Sequence, residues 1–192
     1  MSYLVVSSLR DLPATVAEHG ALDLVTLINA DTDVPRPAEI APERHLFLGM
    51  NDIATPLDGM ILPGEDHLDA LLEFGHRWDR RTPLAVHCWA GISRSTAAAY
   101  ILAIAINEDL DEEALALELR RRAPSATPNA LLIAMADRKL GRQGRMVEAI
   151  RRIGRGADAF SGTPFILPLQ LEAHAPAPVS YTHLTLPTTP YV

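Results

Sequence analysis

The segment Ser93–Asn107 (SRSTAAAYILAIAIN) is apolar on nearly every side of a helical projection. A helix of that kind has no face to offer water and must be wrapped by other elements. It follows a short apolar stretch, Pro83–His87, that reads as a strand. The chain is thereby committed to a strand feeding a buried central helix. Around this unit, Tyr3–Ser8, Asp23–Asn29 and Arg44–Met50 read as further strands, with a helical segment near Pro13–His19 between the first two. Asn51–Gly64, with two prolines and two glycines, reads as a loop, and Glu65–Trp78 as an amphipathic helix through Leu68, Leu71, Leu72 and Phe74.

The rest is helical in pattern. Asp111–Arg122 opens with an acidic cap and ends in three arginines, which complements the helix dipole at both ends. Thr127–Leu140 has Pro128 in its first turn and Gly141 after its end, and Gln143–Arg152 stops at Gly154. The expected fold is α/β: one domain over residues 1–172, a central twisted sheet flanked by helices, with a helical C-terminal half. Residues 173–192 read as a disordered tail rich in Pro and Thr. Within it, Val179–Thr189 closely resembles a translated sequencing-library adapter, so the expectation is a reading frame that has run into adapter sequence; the tail is excluded from functional reasoning.

Length suits one sizeable core, and composition is that of an ordinary globular protein with an aliphatic interior. The net charge of −7 gives no general attraction for nucleic acid. It is uneven: the first 79 residues hold 14 acids and 4 bases, the remainder 10 acids and 13 bases. Most of those later arginines read as solvated helix faces paired with nearby acids, though they could present a local positive field to a phosphorylated substrate. No apolar run is long enough to span a bilayer and no secretory pattern opens the chain, so the expected location is the cytoplasm, with no membrane partner. His19, His45, His67 and His76 have no metal-ligand spacing.

The single cysteine sits in His87-Cys88-Trp89-Ala90-Gly91-Ile92-Ser93-Arg94-Ser95, between that strand and that helix. A lone cysteine is most often a small buried hydrophobe, but these neighbours supply a chemistry. At a helix N-terminus the dipole and converging N–H groups favour a thiolate, the reactive form. The backbone N–H groups of Trp89, Ala90, Gly91, Ile92, Ser93 and Arg94 can line a phosphate-sized nest, and Gly91 lets the loop turn. Arg94 offers a planar fork for two phosphate oxygens. Ser95 could donate a hydrogen bond to the departing sulfur, and His87 could hold the loop through its ring. Trp89 would lie at the mouth of the pocket.

These residues match the signature His-Cys-x5-Arg-Ser/Thr of the protein tyrosine phosphatase superfamily, and residues 3–170 resemble a bacterial member related to its small dual-specificity branch. The resemblance implies two-step phosphoryl transfer without metal or cofactor: Cys88 as nucleophile, Arg94 as phosphate binder, Ser95 as the assistant to thiolate departure. It implies a phosphorylated protein substrate, with phosphoinositide, inositol phosphate or an RNA 5′-phosphate as alternatives. A catalytically silent phosphate-binding module and a rhodanese-like sulfur-transfer domain are the competing classes. Oligomeric state is left open.

The family also takes a proton from an upstream loop Asp. Asp52 directly follows a strand, as the family's acid does; Asp58, beside Gly59 in mid-loop, lies nearer the usual spacing. Asp52 is favoured and Asp58 is the alternative. Such a carboxyl must keep its proton near neutral pH, which loop closure and desolvation can provide. Asn129, in a Pro-Asn pair that related phosphatases carry, is implied as a support whose amide holds the signature loop. The turn Gly141–Met146 reads as a helix junction with solvated arginines.

Overall fold

Strands β1 (Tyr3–Ser8), β2 (Asp23–Ile28), β3 (His45–Gly49) and β4 (Leu84–Cys88) are parallel neighbours, and β5 (Phe165–Pro168) runs antiparallel to β1, giving the order β3-β2-β4-β1-β5. The computed structural model describes residues 2–171, so the reading of 173–192 as an adapter-like tail lies outside the described residues. The inner strands are buried on both faces, which is why they read as continuous apolar runs rather than alternating ones.

The helices divide unequally between the faces. Helix α1 (Leu12–His19) covers one side, where Val5, Leu24 and Ala85 meet Leu12, Val16 and Ile40. On the other side Leu4, Val6, Val25, Leu27, Leu84 and Val86 pack against α2 (Glu65–Arg77), α3 (Arg94–Ile106), α4 (Glu112–Arg122), α5 (Ala130–Lys139) and α6 (Arg145–Ile153). Every residue of α3 from Arg94 to Ile104 is buried, as its sequence requires. One mixed α/β domain results, with the expected helical C-terminal half. Among the described residues no helix is long and apolar enough to cross a membrane.

The remaining helices follow their sequence signals. Asp111 caps α4 by accepting from the Ala114 N–H at 2.8 Å. The turn Gly141–Met146 is a helix junction, where the buried Asp137 carboxylate accepts from the N–H groups of Gly144 and Met146; its arginines are not both solvated as expected, because Arg142 is drawn in beside Arg145 to pair with the buried Glu112. Lys139 pairs with Asp69, which with its neighbours on α2 plays a surface role.

The element without an expectation is β5. Four residues ending in proline, and following Thr163-Pro164, make a weak strand signal. Its place at the sheet edge removes that objection, because an edge strand needs only one ladder. Phe165 and Leu167 point into the core while Ile166 and Pro168 stay half-buried.

If β5 seals this edge, Leu167→Ala should cost about 2–5 kcal/mol of unfolding free energy, the usual range for a truncated core leucine. Urea titration measures it, and a loss below about 0.5 kcal/mol would mean the edge contributes little.

Candidate active site

Because β1 to β4 are parallel and β5 is antiparallel, one edge of the sheet gathers five connections: residues 9–11, 29–41, 50–64, 89–93 and 154–164. In open α/β sheets this carboxyl edge is where ligands bind. The signature loop lies at its middle, between the central strand β4 and the buried helix α3.

The loop's carbonyls are drawn outward by the surrounding chain. Trp89 O accepts from Leu9 N at 3.2 Å, Ala90 O from Gly162 N at 2.8 Å, Ile92 O from Thr127 N at 2.9 Å and Ser93 O from Asn129 N at 3.4 Å. Carbonyls engaged in this way leave the loop's N–H groups free of them, as an anion nest requires. Gly91 N–H already donates to Cys88 Sγ at 3.3 Å. Gly91 has φ +71°, and a Cβ there would come within 2.9 Å of the Ser7 and Ser8 backbone, so turn and close approach both demand glycine.

Cys88 is 2% exposed and its Sγ lies 3.1 Å from Ser95 Oγ. When the sulfur is a thiolate, that hydroxyl is the donor. Arg94, 5% exposed, turns back under the loop, where Nη1 donates to Asn29 Oδ1 at 3.0 Å and to the Met50 carbonyl at 2.6 Å. Its Nε is buried without a partner. A buried donor on a charged group is costly to leave unmade, and an oxyanion in the nest would satisfy it.

Asp52 and Asp58 part company here. Asp52 Oδ1 accepts from Ser93 Oγ at 2.8 Å and from Asn129 Nδ2 at 2.9 Å, which ties it to the signature loop. Asp58 is exposed at the far turn of the same loop, with no hydrogen bond or ion pair among the described residues. The loop is pinched at its base, where Asn51 and Ile61 exchange hydrogen bonds of 2.8 Å. That pinch holds Asp52 near the strand and lets Asp58 project.

The expected roles of Asn129 and His87 take different physical forms. The Asn129 side chain holds Asp52 and the Ile53 carbonyl and caps α5 through Leu131 and Leu132, whereas only its backbone N–H, 3.4 Å from Ser93 O, touches the signature loop. His87 points to the opposite face of the sheet from Cys88. Its Nδ1 lies 3.4 Å from Cys88 O and its Nε2 lies 2.7 Å from Thr26 Oγ1. Burial holds this ring's pKa down to about 4, so it is neutral at physiological pH. Trp89 is 59% exposed. Asn29, Thr26, His45 and Gly162 had no functional reading; of these only Thr26, a polar residue inside an apolar strand, carries a signal in the sequence. Among the described residues no group of three or more His, Cys, Asp or Glu side chains is placed to hold a metal ion.

His87 sets an acid limit on stability. Unfolded, it takes a proton near 6.5; folded, only near 4, so the unfolded chain binds more protons between those values. Stability should therefore be lost as pH falls from about 6.5 toward 4, by about 2 kcal/mol at pH 5 relative to pH 7. Urea titrations at the two pH values test this. His87→Gln should show a smaller fall, and an identical fall in both proteins would assign it to other groups.

No family model matches the sequence, and no curated protein does. Solved structures do match in fold. The PTP-2 phosphatase of Cydia pomonella aligns with TM-score 0.54 at 21% identity, over 70% of this chain and 83% of its own. DUSP15 aligns with TM-score 0.54 at 17% identity, over 77% and 88%. Human DUSP28 aligns with TM-score 0.53 at 17% identity, over 79% and 94%. The strand–loop–helix unit described above thus sits in a domain that has the fold of the protein tyrosine phosphatases and dual-specificity phosphatases.

Proposed function

We propose that the chain is a cysteine-dependent phosphomonoester hydrolase acting on phosphorylated protein, with phosphotyrosine as the first substrate and phosphoserine or phosphothreonine within its range. One observation carries the reading. A buried sulfur lies at a helix N-terminus between the Ser95 hydroxyl and the Gly91 N–H, beside a buried arginine whose Nε has no partner.

The reaction runs in two steps. The nest and the Arg94 fork hold the phosphoryl oxygens, and the Cys88 thiolate attacks phosphorus in line with the leaving oxygen. Asp52 protonates that oxygen as the P–O bond breaks. Its Oδ1 is occupied by Ser93 and Asn129, which leaves Oδ2 to carry the proton. A phosphocysteine and the free alcohol result. Asp52, now a carboxylate, takes a proton from water as the water attacks phosphorus. The sulfur leaves as thiolate, stabilised by the Ser95 O–H, and phosphate is released.

The character of the carboxyl edge favours phosphoprotein over phosphoinositide, inositol phosphate or RNA ends. Its five connections carry seven acids and three arginines, and Arg155 is paired with Asp158. Such a surface disfavours a polyanion and tolerates a single phosphate presented on a protein. The same edge exposes Leu57, Met60, Ile61, Trp89 and Phe160, apolar surface suited to an aromatic ring and its neighbours.

Hydrolysis of para-nitrophenyl phosphate and of a phosphotyrosyl peptide, both in EDTA, tests the reading. Wild type should turn over both, and Cys88→Ser should fall to background. Asp52→Asn should lose about 10²-fold or more on the peptide, whose leaving group needs the proton, whereas Asp58→Asn should stay within about twofold. The reverse ordering would make Asp58 the acid. If folded wild type binds tungstate but hydrolyses neither ester, the silent-module reading replaces this one.

A further inference from the structure

On the face of the sheet away from Cys88, three strands place a row of polar side chains in a lining that is otherwise aliphatic. Thr26 of β2 is in register with His87 of β4, and His45 of β3, in register with Leu24, reaches Thr26 diagonally. The Thr26 hydroxyl is buried, 2.7 Å from His87 Nε2 and 2.8 Å from His45 Nε2. Ser7, in register with His87 on its other side, has a buried Oγ without a partner, so Thr26 is the ring's polar contact at Nε2 among the described residues.

A hydroxyl has one proton and can donate to only one of the two rings. Bonds to both therefore require one Nε2 to carry hydrogen. If His87 Nε2 carried it, its bare Nδ1 would face the lone pairs of Cys88 O at 3.4 Å, which is repulsive. The other arrangement satisfies every contact. His45 Nε2–H donates to Thr26, Thr26 O–H donates to His87 Nε2, and His87 Nδ1–H donates to the Cys88 carbonyl.

We propose that Thr26, steadied by His45, is a positioning residue for the nucleophile: its hydroxyl fixes the His87 tautomer whose Nδ1–H holds the Cys88 carbonyl. That carbonyl belongs to the peptide linking Cys88 to Trp89, and its direction decides where the Trp89 N–H points. It directly precedes the carbonyls drawn out of the loop, so its anchoring helps turn the nest toward the sulfur. His87 and Thr26 are fully buried while His45 is half-buried, so the relay begins near solvent and ends at the reactive residue.

The charged surroundings favour neutral rings throughout. Burial is the main force against protonation of each ring, and the charges of Arg36 on His45 and of His45 and Arg94 on His87 add to it. Helix α1, packed on the same face, presents Leu12 and Val16, and its His19 bonds to Tyr3 instead.

The inference rests on Cys88 reacting as a thiolate, so the readout is alkylation of its sulfur by iodoacetamide across pH rather than turnover. Failure here is then distinct from failure of the phosphatase reading. Thr26→Val, nearly the same size, should move the midpoint of the alkylation profile up by about one pH unit, about tenfold slower reaction below it. Thr26→Ser should restore the wild-type midpoint. His45→Phe should shift it part of the way, since Thr26 can still donate but loses the ring that steers it. An unmoved midpoint in Thr26→Val, or Thr26→Ser no better than Thr26→Val, would overturn the proposal. Should the buried substitution unfold the chain, an unmoved midpoint in the half-exposed His45→Phe overturns it alone.

Discussion

Arg94 joins the ends of neighbouring strands, and the geometry of the site depends on that joint. Its guanidinium reaches from the first turn of α3 to Asn29 after β2 and to the Met50 carbonyl after β3. These anchors come from two strand ends and one helix start, so they hold the position of the helix N-terminus relative to the sheet. They also have a cost: a cation is buried with neutral partners rather than a carboxylate, and its Nε makes no bond. Burying charge this way is unfavourable unless an anion completes the set. A carboxylate in place of Asn29 would neutralise the guanidinium and compete with phosphate for it. An anionic ligand would supply what this arginine lacks.

The sheet separates the two tasks of the signature segment. Successive residues of a strand face opposite sides, so Cys88 faces the large core and the start of α3, while His87 faces the smaller core under α1. The sulfur has the helix N-terminus, Ser95 and Gly91 around it. Among the described residues the imidazole's hydrogen-bond partners are the buried Thr26 hydroxyl and the Cys88 carbonyl. The adjacent His and Cys therefore act through different environments and are coupled by a single peptide group.

Much of this was legible because the signals are local. The four parallel strands and six helices stand within a few residues of their sequence readings, since each has a strong apolar pattern with caps or breakers at its ends. Cys88, Arg94 and Ser95 lie within eight consecutive residues, so one loop brings them together whatever the remainder does. Asp52 could be favoured over Asp58 from its place after a strand, but the hydrogen bonds from Ser93 and Asn129 that hold it span 41 and 77 residues. No local pattern encodes such pairings. Strand β5 escaped for a related reason: four residues bounded by prolines become a strand only because β1 offers an unpaired edge.

The sequence by itself determined the α/β class, the buried central helix and the grouping of Cys88, Arg94 and Ser95 in one loop, because periodicity, helix-end preferences and short spacing act through nearest neighbours along the chain. Only the tertiary structure decided which Asp is tied to the signature loop, what anchors Arg94, and that Thr26 links the rings of His45 and His87. Those are contacts between elements distant in sequence. They are selected by strand order and register, which follow from packing the whole core.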